Sequence, residues 1–319
     1  MAEATPPRAP AAGPRGELGL VLTGGGARAA YQVGCLLWIA RNVPELRIPI
    51  LTGVSAGAVN VGHLAAYPGP LAEAVETLAE LWSGLTADQV FRVDVRSLAT
   101  HMARWGTRLL LGGVTRTPAV RGLVDTSPLR TLLVAAPGAD REGMLTGIEE
   151  NLRRGRIRAA AVTTTSYATG QSVTWIQGRG VETWTRPARR AVATRLTVDH
   201  VMASAALPLF FPAVRIGHEW HGDGGIRLAA PLSPALHLGA SRVLAISTRY
   251  DRSQAEADTP ATVGYPPPAQ VLGVLLNAIF LDIIDQDVLR LQRLNRLLER
   301  LPEDRRDGLR IIELLVLRP

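Results

Sequence analysis

Short, unbroken apolar runs bounded by glycine or proline alternate with longer stretches of helical periodicity along most of this chain. Leu18-Gly-Leu-Val-Leu22 is the first such run, and its length and flanks predict a strand buried on both faces. From residue 27 to about 42, Ala30, Val33, Leu36, Leu37 and Ala40 fall on one helical face. A second strand is expected over 46–51, leading into Gly53-Val-Ser-Ala-Gly57 and a helix of small residues that runs toward Tyr67. Residues 71–85 have helical spacing, and 88–155 predict mostly helices and loops punctuated by Pro and Gly. Strand character returns at 157–165, 172–176 and 242–248. Between these, 198–206 reads as a short helix stopped by Pro208, and 219–225 as a strand running into a glycine turn. A last long helix is expected over 269–300, its apolar first half interrupted by Asn277 and Asp282, too short and too polar to span a membrane.

Strand, turn and helix in alternation predict an α/β protein with one central sheet and a helical C-terminal section. The boundaries divide the chain into a Pro/Ala-rich leader (1–17), a main domain (18–250) and a C-terminal part (251–319) holding a linker, the long helix and a terminal strand that packs on the domain. The leader to Gly16 holds four prolines and no apolar core, so it reads as a flexible tail and not a secretory signal, and a cytoplasmic location is expected. Cys35 is the only cysteine. It can form no intrachain disulfide, and among Val33, Leu36 and Leu37 it suits a small buried hydrophobe.

All 35 basic residues are arginine and the net charge is +7, which favours an anionic partner. No basic run interleaved with aromatics occurs, so a membrane surface fits better than nucleic acid. The arginine bias itself is what a GC-rich genome produces. No metal-ligand spacing is present either, so no metal or other cofactor is expected and activity should survive excess chelator.

Two glycine turns carry the chemistry. Gly53-x-Ser55-x-Gly57 between a strand and a helix has the form of a nucleophile elbow, in which a sharp turn lifts the serine clear of the sheet. The helix behind Ser55 favours developing negative charge. Gly24-Gly-Gly-Ala-Arg28 presents successive backbone N–H groups at another helix start, a concavity suited to an oxyanion. Arg28 could lie near a lipid phosphate or simply on the helix surface. Gly24-x-Gly26-x-x-Ala29 also fits a dinucleotide-binding fingerprint, but that requires an acidic residue near the end of the second strand. Here that strand ends in Leu51 and Thr52, and Glu45 precedes it.

The third element is Asp223 in Gly222-Asp-Gly-Gly225, preceded by Ala203-Ser-Ala-Ala-Leu-Pro208 and Phe210-Phe-Pro212. Taken in order, G-G-G-x-R, G-x-S-x-G, A-S-A-A-L-P-L-F-F-P and D-G-G resemble the patatin-like phospholipases, over roughly 18–248. The resemblance implies a three-layer sandwich around a mostly parallel sheet, a Ser-Asp dyad in place of a triad, and hydrolysis of acyl esters in phospholipids or other acyl lipids. It assigns Ser55 as nucleophile, Asp223 as its base, and the amides of Gly24, Gly25, Gly26, Ala27 and Arg28 as the region of the oxyanion hole, with Gly53 and Gly57 framing the elbow. Ala29 departs from the family, which usually has glycine there, and the resemblance fades after about residue 250.

A histidine triad is the competing arrangement. His63 lies eight residues after Ser55, about 12 Å along a helix axis and out of reach. His221 is the stronger candidate, two residues before Asp223, although a place at the rim or surface suits it better than catalysis. An acyltransferase using the same elbow, and a silent lipid-binding scaffold, are the alternative functions. The former would need a histidine partner, and intact Ser55 and Asp223 argue against the latter. Leu209, Phe210 and Phe211 suggest apolar contact with a bilayer and peripheral attachment, unless they are core. Head group, acyl position and oligomeric state are not legible.

Overall fold

The structure is a computed structural model that describes residues 16–93, 122–259, 264–280 and 282–319. Most of the expected leader and residues 94–121 of the expected helical region lie outside these. The strands are β1 (Leu18–Leu22), β2 (Ile50–Val54), β3 (Ala159–Ser166), β4 (Ser172–Gly178), β5 (Thr185–Arg186), β6 (Arg189–Ala193), β7 (Val214–Ile216), β8 (Glu219–Asp223), β9 (Arg242–Ile246) and β10 (Glu313–Leu317). The helices of seven residues or more are α1 (Ala30–Asn42), α2 (Ala56–Ala66), α3 (Leu71–Gly84), α4 (Ser127–Val134), α5 (Thr146–Arg153), α6 (Val198–Ser204), α7 (Pro268–Phe280) and α8 (Ile283–Leu298).

All these strands join one sheet in the order β10-β9-β1-β2-β3-β4-β6-β5, with β8 on β3 and β7 on β8. The block from β10 to β3 is parallel throughout. Alternation along the strands sends side chains to two separate cores. Leu20, Leu22, Ala160, Val162, Leu244 and Ile246 pack with Val33, Leu36, Val61 and Leu78 of α1–α3. Their neighbours Val21, Ala159, Ala161, Val243 and Ala245 face the other way, toward Ile284, Val288 and Leu291 of α8. Helices therefore cover both faces of a mostly parallel sheet, which is the expected α/β three-layer arrangement.

Several boundaries differ from expectation for identifiable reasons. β2 starts at Ile50, because Pro49 has no N–H to give a ladder; its carbonyl accepts from the amides of Arg158 and Ala159 at 2.7 and 3.1 Å. The strand then continues through Gly53 and Val54, so the elbow begins inside the sheet. The long helix expected over 269–300 is two helices. Asp282 breaks it, its carboxylate held by Arg249 at 2.9 Å and its N–H reaching back to the Asn277 carbonyl at 3.3 Å. Gly16 and Glu17, expected in the leader, are tied down through carbonyls that accept from Arg242 Nε at 3.0 Å and from the Ser241 N–H at 3.1 Å. Cys35 is only partly buried. The short strands β5, β6 and β7, rich in arginine, carry no apolar run and were not foreseen.

Candidate active site

The parallel register places the two glycine turns side by side. Leu22 of β1 pairs with Gly53 of β2, so Gly24 and Ser55 leave the same end of adjacent strands. A methyl on Gly24 would lie 2.9 Å from the Ser55 Cβ. Ligands of open α/β sheets bind at such strand ends.

Asp223 arrives there through β3. One edge of β3 is taken by β4 over Ala159–Thr165. Its other edge is taken by β2, ending in the pair Val54 and Thr163. At the next position, Thr164 pairs with Asp223 of antiparallel β8. β8 thus occupies the edge that β2 vacates where the chain turns at Ser55, and residues 168 positions apart in sequence become neighbours. The Ser55 hydroxyl donates to Asp223 Oδ2 at 2.6 Å.

Ser55 has φ 56° and ψ −130°, a backbone conformation that costs a β-carbon residue about 1–3 kcal/mol. Close packing enforces it. A methyl on Gly53 would meet the Gly57 carbonyl at 2.5 Å, and one on Gly57 would run into the Leu22 carbonyl. Ser204 of α6, fully buried, completes the hold: its Oγ accepts the Ser55 N–H at 2.9 Å and donates to the Thr163 carbonyl at 2.6 Å. Sequence reasoning gave Ser204 no role. Its signal was the A-S-A-A-L-P segment itself.

The glycine turn has a second support. Gly25 and Gly26 have φ 150° and 57°, both accessible to glycine, and the Thr248 hydroxyl donates to the Gly24 carbonyl at 2.5 Å. Gln32 Nε2 donates to the Thr23 and Ile246 carbonyls at 2.8 and 3.1 Å. Asn60 links that amide to the Trp82 indole at 3.0 and 2.7 Å. These buried polar residues interrupt otherwise apolar helix faces, which was their legible signal. Residues 26–29 form a single tight turn in which the Arg28 N–H bonds the Gly25 carbonyl at 3.2 Å. The preceding N–H groups, of Gly26 and Ala27, have no acceptor within the turn. Ala29, the departure from the family, is fully buried.

Asp223 is fully buried, and desolvation pushes its carboxyl up to about 7, against the opposing hydrogen bonds from Ser55 and from the Gly225 N–H at 2.8 Å. The histidines lie elsewhere. His221 is 1% exposed, which corrects the expected rim or surface placement. Its Nδ1 pairs with the Thr164 hydroxyl at 3.1 Å and its ring packs T-shaped on Trp175 with centroids 5.4 Å apart, a covering that burial-lowered basicity reflects. His63 bonds the Ala74 carbonyl and the Thr77 hydroxyl at 3.1 and 3.0 Å.

A cavity of about 640 Å³ opens over Ser55. Gly25 to Arg28 line one end, and its walls are largely aliphatic or aromatic, with Leu81, Trp82, Leu132, Leu133 and Phe211 among them. Of the apolar trio expected near the site, Phe211 lines this cavity, Phe210 is half-buried and Leu209 is 56% exposed with φ 69°. Arg28 is exposed at the cavity edge. Among the described residues, no group of His, Cys, Asp and Glu could hold a metal ion, and no helix is long and apolar enough to cross a membrane.

Among solved structures, the chain is similar to VipD from Legionella pneumophila, at 16% identity and TM-score 0.42, over 76% of this chain and 52% of that one. It is also similar to human GIVD cytosolic phospholipase A2 in complex with methyl gamma-linolenyl fluorophosphonate, at 15% identity and TM-score 0.40, over 80% and 45%. The chain thus spans about half the length of these neighbours, and likenesses this distant carry no weight for function. A search of curated protein sequences gave no match. The family model of the patatin-like phospholipases matches residues 20–236, well over half of the chain, and the chain belongs to that family.

Proposed function

We propose that this chain is a serine hydrolase of acyl lipids, cleaving fatty acyl esters of phospholipids or related membrane lipids through a Ser55–Asp223 dyad. The observation that carries the reading is the 2.6 Å hydrogen bond from Ser55 Oγ, at the lining of an apolar cavity, to the buried carboxylate of Asp223. A serine hydroxyl is a weak nucleophile and needs a base to take its proton as the bond to carbon forms. Asp223 Oδ2 is within reach to do so without a histidine. As Ser55 Oγ adds to the ester carbonyl, the oxygen gains charge in a cavity that the glycine turn lines, and the Gly26 and Ala27 amides, which have no acceptor within that turn, are the proposed donors to it. Such donors are each worth about a hundredfold to a thousandfold in rate. Collapse breaks the bond to the alcohol oxygen, which takes the proton from Asp223 and leaves as the lysolipid. Water, deprotonated by the same carboxylate, then adds to the acyl carbonyl; the bond to Ser55 Oγ breaks, Oγ takes the proton back from Asp223, and the fatty acid is released.

The cavity size lies within the range of small-molecule sites, and its apolar walls suit an acyl chain. Peripheral attachment to a bilayer belongs to the same reading, since the substrate resides there. The test is hydrolysis by four variants. Ser55→Ala and Asp223→Asn should each lose at least about a thousandfold in kcat/KM, and the double variant should be little worse than either, because the two groups act as a unit. His221→Ala should retain most activity; a loss as deep as that of Ser55→Ala would replace the dyad with a triad.

A further inference from the structure

α7 has no charged residue in its thirteen positions. Leu276, Asn277 and Phe280 line the Ser55 cavity, and Phe280 lies directly against Gly225, two residues past Asp223. Much of its apolar surface is bare: Val271, Leu272, Val274, Leu275 and Ile279 are 37 to 63% exposed. A helix facing water ordinarily puts polar residues on that side. A contiguous aliphatic surface of this kind marks an interaction site.

What covers it follows from two neighbouring features. The inner face of α7 is a wall of the cavity, so whatever seats on the outer face lies about one helix diameter, ~10–12 Å, from it. Arg28, exposed at the edge of the same cavity, forms no ion pair among the described residues. A free cation on the rim of a cavity that an aliphatic helix also walls complements the boundary between anionic head groups and acyl chains. A protein partner would instead call for a polar rim offering hydrogen bonds, and the exposed α7 face is aliphatic. We propose that α7 is the surface by which this chain docks on a phospholipid bilayer, its outer face among the acyl chains and its inner face still walling the Ser55 cavity. The choice of partner rests on the acyl-lipid reading above.

The test uses the full chain carrying Ser55→Ala, which leaves vesicles intact, and vesicles of phosphatidylcholine with or without phosphatidylglycerol. Replacing both Val274 and Leu275 by Gln should lower the vesicle partition by about tenfold or more, since the apolar area entering the bilayer sets the affinity. Val274→Trp should raise it, which keeps the test open if the double variant fails to fold by circular dichroism. Partition that responds to neither change overturns the proposal. So does a dimer in lipid-free sedimentation that the Gln variant dissociates, because a second copy would then own the surface. Hydrolysis by the chain with Ser55 intact separates the two readings. Binding through α7 without hydrolysis leaves the docking surface standing and removes the hydrolase, whereas hydrolysis with partition indifferent to α7 does the reverse.

Discussion

Asp223 is asked to be a base while buried where charge is costly, and the two demands meet in its titration. Desolvation raises its carboxyl to about 7, so a large fraction is protonated and inactive just below neutrality. The expected kcat/KM for a soluble ester therefore climbs about tenfold per pH unit on the acid side and levels off above neutrality. A profile that is flat from about pH 5 to 9 would remove Asp223 as the base. His221 is the instructive contrast. It shares β8 with Asp223 but spends its Nδ1 on Thr164 and its ring on Trp175. Proximity in sequence to an aspartate told little about where its ring would point, since His221, Gly222 and Asp223 are all buried at the end of the strand.

The elbow is an assembly of three elements, and Ser204 is the joint between them. Its hydroxyl ties the Ser55 amide of the β2–α2 turn to the Thr163 carbonyl of β3. Ser204→Ala would leave the buried Ser55 N–H without a partner, at a cost of about 1–3 kcal/mol, in a turn already under backbone strain. The expected result is a kcat about tenfold to a hundredfold lower with little change in KM for a soluble ester, while the far-ultraviolet circular dichroism is retained. An unchanged kcat would mean that packing alone holds the turn. These contacts also explain what the sequence disclosed. Leu18–Leu22, the G-x-S-x-G elbow and the D-G-G turn were legible because each is a local event of a strand meeting glycines. The join between β8 and the edge left by β2 was not, because it depends on the pairing of β8 with β3, which brings together Ser55 and Asp223 from 168 positions apart. The single long helix read over 269–300 failed at Asp282, whose partner Arg249 lies 33 positions away. In the Gln32–Asn60–Trp82 chain the polar interruptions of apolar helix faces were legible, but their pairing was not, for the same reason.

Buried ionisable groups set opposing pH dependences on the stability of the folded chain. His63, His200 and His221 are all less basic than free histidine because of burial, His200 down to about 4. As pH falls below about 6.5 the unfolded chain binds protons that the folded one refuses, so these groups remove stability. Asp223 acts in the other sense: its raised carboxyl holds a proton in the folded state between about 3.8 and 7, so its contribution is fully present below that window and is lost as pH rises through it. Asp223→Asn, measured by denaturant unfolding, should be more stable than the parent chain above pH 7 and should lose stability more steeply between about pH 6.5 and 4. A stability gap independent of pH would mean that Asp223 ionises as it does in the unfolded chain. The burial that creates this cost is also what surrounds Ser55 with an apolar cavity, and a covalent probe of that serine reads both. When the intact chain is incubated with a long-chain alkyl fluorophosphonate and digested, mass spectrometry should find one stoichiometric adduct, on the peptide containing Ser55, formed much more slowly in Asp223→Asn and absent in Ser55→Ala. Failure to label, or an adduct that persists in Ser55→Ala, would contradict the proposed acyl-enzyme chemistry.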